Sequence, residues 1–315
     1  MYSEALVQLS LDTLSCSQKD LAVRLGVSPT QISKWKKGEH MSSEMEEKLR
    51  NLTGIGEKDP SFVLWAGSIE DANKWEGLIH FLATMAQEVA ETGYITSPLS
   101  DEGNTLCWHT FYVLKEMGVT IPEVFPKDLE VNYNDVDDDN LFESILENPY
   151  AALIYEIYKS LNNVYGFYAA YLSELIYDDE LELFDTPADN IESCLMSLAA
   201  CKIEENQRLT PNFRNFKFQV IKDYEEWLDI VKDRAFRAGV PLRAELLKLV
   251  HGSDGELGHE AEAESLGFNS SRIHPDIYMN ELLVGMRIIH QVLPAIMKKL
   301  EINEEFELDT SKLRI

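Results

Sequence analysis

No stretch of 18 or more apolar residues occurs in this 315-residue chain, so no helix of it is expected to span a bilayer. Proline and glycine are sparse, at 11 and 16 residues, which argues against collagen-like or long low-complexity segments. The few cysteines, Cys16, Cys107, Cys194 and Cys201, form no C-x-x-C pair and have no histidine at zinc-ligand spacing. They read as reduced, buried thiols. The opening residues Met1-Tyr2-Ser3-Glu4 lack a basic region followed by an apolar run, so no signal peptide is read and a cytoplasmic location is expected. Catalytic signatures are missing as well. There is no G-x-S-x-G, no Walker-type glycine loop and no G-x-G-x-x-G. Residues 62–315 hold no catalytic motif, and neither an enzyme nor a cofactor nor a metal is expected.

Positive charge is also scarce. The chain has 28 lysines and arginines against 55 acidic residues, for a net charge of −27. The imbalance is not uniform. Residues 1–53 carry seven basic and seven acidic side chains, so the entire negative balance lies beyond residue 53. A body of that charge repels phosphate backbones. Only the N-terminal stretch with Lys34, Lys36 and Lys37 offers phosphates a positive face.

What is present is helical periodicity. Residues 3–14 place Leu6, Val7, Leu9, Leu11 and Leu14 as a first helix. Ser17 caps a second over 18–25, and Gly26 permits the left-handed residue that ends it. Ser28 and Pro29 open a third, which runs to about Lys37 and stops at Gly38. Ser42 or Ser43 opens a fourth, with Met45, Leu49 and Leu52 on one side. Glu46 stands three residues after Ser43, as a capping box requires. Beyond these, helical periods cover about 69–92, 103–118, 140–147, 150–177, 188–206, 217–237, 241–251 and 276–300. Prolines such as Pro122, Pro187 and Pro211 fall at the breaks. The expected fold is all-α: a small N-terminal domain over 1–55, a linker over 56–67, and a larger acidic multi-helix domain over 68–315.

The spacing inside 17–38, SQKDLAVRLGVSPTQISKWKKG, carries the chemistry. Leu21, Ala22, Gly26, Val27, Ile32 and Trp35 form the core of a tight helix–turn–helix. Ala22 must be small where two helices cross, and Val27, Ile32 and Trp35 pin the third helix by its inner face. This segment resembles the Xre/Cro/lambda-repressor helix-turn-helix family of prokaryotic and phage DNA-binding domains. The resemblance covers about 50 of the 315 residues. It implies that the third helix enters the major groove of double-stranded DNA. Thr30, Gln31, Ser33 and Lys34 would then face base edges, with Gln31 suited to adenine and Lys34 to guanine. Gln18, Lys19, Ser28, Lys36 and Lys37 would meet phosphates. Asp20 and Glu39 lie near helix ends, off that reading face. Relatives of this kind bind as two-fold dimers, so a homodimer held by the larger domain is expected. Residues 1–60 alone are expected to fold but to bind weakly. No paired Ser/Lys of a self-cleaving repressor half is found, so induction by cleavage is not carried over.

Other clusters read more plainly. Tyr155, Tyr158, Tyr165, Tyr168 and Tyr171 recur at three- and seven-residue spacing, with Tyr150 and Phe167 nearby. A sensor pocket or a dimer seam fits that spacing, but a core helix is favoured. Asp135 to Asp139 begin like a calcium loop and then fail it, with Asn140 where glycine belongs and Leu146 where glutamate belongs. His251 and His259, with Asp254, Glu256 and Glu260, form the only histidine–carboxylate concentration. Three glycines make that stretch read as a flexible loop instead of a metal site. Asp178, Asp179, Glu180 and Glu182 read as a solvated boundary.

The leading expectation is a DNA-binding regulator, a repressor on a palindromic operator. The alternative is an antitoxin, anti-repressor or phage-defence protein. In that reading the acidic helical body binds a partner protein and the head only autoregulates.

Overall fold

Side-chain N-caps open α-helices at Gln18, Pro29, Pro60, Ile69 and Pro149 in the structure, a computed structural model describing residues 2–133, 139–184, 186–240, 242–252, 257–266 and 277–300. The α-helices are α1 (Tyr2–Thr13), α2 (Gln18–Leu25), α3 (Pro29–Trp35), α4 (Ser43–Thr53), α5 (Pro60–Ala66), α6 (Ile69–Glu88), α7 (Ser97–Ser100) and α8 (Leu106–Glu116). Then come α9 (Asp139–Leu146), α10 (Pro149–Phe167), α11 (Ser173–Ile176), α12 (Leu195–Ala200), α13 (Phe213–Ala238), α14 (Lys248–His251), α15 (Leu257–Ser265) and α16 (Ile277–Lys299). A π-turn, Tyr168–Leu172, joins α10 to α11, and a 3-10 helix, Pro187–Cys194, leads into α12. Among the described residues there is no β-sheet, as the all-α expectation required.

The segment 56–67, expected to be a linker, is structured. Asp59 caps α5 by accepting from Ser61 and Phe62 N–H, Pro60 occupies the first helical position, and Phe62, Val63 and Ala66 are buried. Seven residues are too few to display a helical period, which is why the segment reads as loop. Two of its partners, α1 and α8, lie far away in sequence. α5 packs against α1 on one side and against α6 and α8 on the other. Phe62 meets Phe111 edge-on at 4.9 Å, and Trp75 meets Phe111 at 5.3 Å and Phe125 at 5.0 Å. These rings join the N-terminal helices to the body in one continuous core. Arg50 secures the same junction, donating to the carbonyls of Gly56 at 2.6 Å and Lys58 at 3.0 Å. Lys58 in turn pairs with Glu76 of α6 at 3.0 Å.

A fragment ending at residue 60 strips α5 from α1, whose Leu6 and Val7 are fully buried. The expectation that residues 1–60 fold alone thus omits a helix that packs on α1. Phe62→Ala is expected to lower stability by about 3–5 kcal/mol, because it empties a ring-sized space in that core. Urea denaturation of the full chain checks this, and a loss under about 1 kcal/mol would remove α5 from the core.

α4 begins one residue earlier in register than the expected capping box. Its cap is Ser42, with no side-chain bond, and Glu46 instead accepts from the Tyr2 hydroxyl at 2.6 Å and from Arg50 at 3.3 Å. Burial, then this bond to Glu46, pushes the Tyr2 phenol up to about 12, so it remains a donor at neutral pH. The capping box lies at α2, where Ser17 and Asp20 bond reciprocally.

α10 is the central strut, packed by α6, α12 and α15. Tyr155 and Tyr158 of α10 and Tyr168 and Tyr171 of the π-turn that follows are buried, and Tyr165 of α10 is half-buried, so the array belongs to the core. Tyr158 is fully enclosed and shares a hydrogen bond with Thr110 at 2.6 Å. The stretch read as a flexible loop around His259 is partly helical. His259 lies on α15, and Gly258 lets α15 cross α10 closely, since a Cβ there would stand 2.7 Å from the Asn163 carbonyl oxygen. His251 pairs with Glu225 at 3.3 Å. Asp254, Glu256, Asp135 to Asp138 and residues 301–315 lie outside the described residues.

Candidate nucleic-acid interface

The helix pair that presents the candidate interface is built from its core outward. Leu21, Ala22, Leu25, Ile32 and Trp35 are buried, and Val27 packs half-buried at the turn between them. Gly26 takes φ 71° and sends the Val27 N–H back to the Ala22 carbonyl at 3.0 Å, a conformation costly for any residue with a Cβ. Ser28 accepts from the Gln31 N–H at 3.2 Å and starts α3. α3 packs against α1 and α2, which leaves its other face uncovered.

That uncovered face carries the expected readers. Thr30 and Lys34 are exposed, and Gln31 and Ser33 are half-buried. Gln18 is half-buried, Lys19, Ser28 and Lys37 are exposed, and Lys36 is half-buried. The structure brings two of these together in a way the sequence hid. The Ser33 hydroxyl lies 3.2 Å from Gln18 Oε1 and 3.1 Å from the Pro29 carbonyl. Both oxygens are acceptors, so the single hydroxyl proton is used within the protein. Ser33 thus orients Gln18, leaving the Gln18 amide NH2 to donate outward, and itself keeps only acceptor capacity toward a base.

Two acidic residues intrude more than their placement near helix ends suggests. α3 closes at Trp35, and Lys36, Lys37 and Gly38 tighten into a turn in which Gly38 adopts φ 87°. The turn brings Glu39 back, so its carboxylate sits 3.4 Å from Lys34 Nζ. The pair is exposed and therefore weak, and Lys34 can leave it for a nucleic-acid partner. Asp20 accepts from the Ser17 N–H at 3.1 Å and the Ser17 hydroxyl at 2.6 Å. These bonds hold its carboxyl below the usual carboxylate range. A carboxylate thus already occupies the start of α2, which weakens the attraction of that end for an incoming phosphate. The S-x-x-D spacing at 17–20 is the sequence signal for this.

Residues 12–46 match the family model described as helix-turn-helix, covering α2, α3 and the flanking ends of α1 and α4. No curated protein and no solved structure matches the chain. The N-terminal segment is therefore a helix-turn-helix of the Xre/Cro type, and the match supports a DNA-binding transcription regulator of that type.

The lysines of the closing turn give a separate prediction. Lys36→Ala and Lys37→Ala are expected to weaken binding to every duplex alike. Each should flatten the slope of log affinity against log salt by about one unit for every phosphate left unneutralised. Salt titrations of duplex binding read this, and an unchanged slope removes both lysines from the interface.

Proposed function

We propose that the protein is a dimeric transcriptional repressor that reads a palindromic operator in the cytoplasm. The observation that carries this reading is the open polar face of α3, with Gln31 and Lys34 outward and Ile32 and Trp35 locked inward. One head spans only a few base pairs. Two heads related by a two-fold axis reach half-sites about 34 Å apart. Repression follows from occupying the promoter.

Support for the second copy comes from α16. Met286, Ile289, Leu293, Ile296 and Leu300 alternate at three- and four-residue steps and remain 47% to 64% exposed. That spacing suits the seam of a helix pair, and an identical stripe would complement it. The acidic body supports a second reading, in which it binds a basic partner protein and the head only autoregulates.

Sequencing the DNA that co-purifies with the protein separates the two. An inverted repeat shared by the fragments is expected. Recovery of a stoichiometric basic protein with no enriched DNA would overturn the repressor reading in favour of the second.

A further inference from the structure

A groove of about 850 Å³ lies between α8, the 187–200 segment and α13, a volume suited to a small organic molecule. Its walls are aromatic and its rim is acidic. Trp108 and Tyr112 of α8 stack at 5.1 Å with 16° between their planes. Across the groove Tyr224 and Trp227 stack at 5.5 Å. The Trp227 N–H already donates to the Ala188 carbonyl at 2.6 Å, and Trp227 and Tyr224 are both buried, so this pair forms an apolar wall while Tyr112 presents the exposed ring face. Among the described residues, no lysine or arginine lines the groove, while Glu116, Asp223 and Glu226 do. Lys222 neutralises Glu226 at 3.2 Å. Glu116 and Asp223 have no ion-pair partner among the described residues. Burial depresses the pKa of His109 on the same wall, so at neutral pH it adds no opposing charge. An exposed aromatic face beside carboxylates that no cation among the described residues pairs attracts a cation with an aromatic body.

The groove also touches the head. Trp108 stacks on Trp65 of α5 at 6.5 Å and 29°. Lys115, one turn beyond Tyr112, covers the Trp65 ring at 5.4 Å. α5 supports α1, and α1 supports α3. Trp108 and His109 further line a recess of about 430 Å³ shared with Tyr2 and Arg50 of the head. A molecule that stacks on the exposed ring of Tyr112 therefore presses through Trp108 on Trp65, and so bears on the helix that fixes the head to the body.

We propose that this groove is an effector site for an aromatic organic cation, relayed to the head through the Trp65–Trp108–Tyr112 stack. The regulatory meaning of the relay rests on the DNA-reading proposal, whereas the ligand site does not. The test uses the full chain and two triarylmethane dyes, cationic crystal violet and anionic phenol red, in titration calorimetry. Saturable binding of crystal violet is expected, with none of phenol red. Glu116→Gln combined with Asp223→Asn should weaken it by roughly tenfold or more. No saturable binding, equal binding of phenol red, or indifference to the carboxamide pair would overturn the site.

The relay is read by hydrogen exchange at the amides of α5, which should change by about fivefold or more on saturation. Trp65→Leu lies outside the groove. It is expected to keep crystal violet binding and to lose that change. Unaltered exchange in the wild-type chain, or an undiminished change in Trp65→Leu, would overturn the relay. A chain that binds crystal violet but no duplex at low salt would sink the regulator reading and leave the groove standing.

Discussion

Alanine at both Gln31 and Lys34 is expected to weaken operator binding by about 2–5 kcal/mol per half-site and to blur the preference for one sequence. The structure makes this pair a clean probe. The hydrogen bond that starts α3 uses the Gln31 backbone N–H, not its side chain, so the helix start survives the change. Lys34 gives up only an exposed pairing with Glu39, which contributes at most about 1 kcal/mol to stability. Thermal unfolding should therefore move little while binding falls. Anisotropy titrations on the operator and on a scrambled duplex measure both parts. Binding that retains its strength and its sequence preference would take α3 out of the groove.

Aspartate at both Ile289 and Leu293 is expected to give the other large effect. The two positions are adjacent steps of the α16 stripe, and both side chains are exposed in the single chain. Charge there should leave the monomer's helix content nearly intact and oppose the pairing of two such stripes. Light scattering should fall from twice the chain mass to once. Affinity for a full palindrome should drop by about 10²–10⁴, because the second head loses its effective concentration, while affinity for an isolated half-site stays the same. A variant that remains dimeric would move the dimer interface elsewhere on the body. A variant that becomes monomeric yet binds the palindrome at full strength would end the two-headed reading.

The helix-turn-helix core is legible in the sequence because its signals are local. A cap, a proline at the first helical position and a glycine with φ 71° act within a few residues of where they stand. The assignment of the tyrosine array to a core helix is legible for the same reason. The capping box expected at Glu46 does not form: α4 is capped one residue earlier, at Ser42, and Tyr2 and Arg50, from opposite ends of the head, bind that carboxylate. Gly258 reads as flexibility because a sequence does not display the neighbouring helix that forbids a Cβ there.

The order of residues by itself determined an all-α fold, a short neutral head with its helix-turn-helix, and an acidic body. All of these depend on chemistry within a turn or two of the chain. Tertiary structure alone decided that α5 welds head to body, that Ser33 holds Gln18, that Glu39 restrains Lys34, and that Trp65, Trp108 and Tyr112 stand in one stack. Those interactions join residues from distant or separately capped segments. Close packing selects such partners by shape and buried area, which no local periodicity encodes.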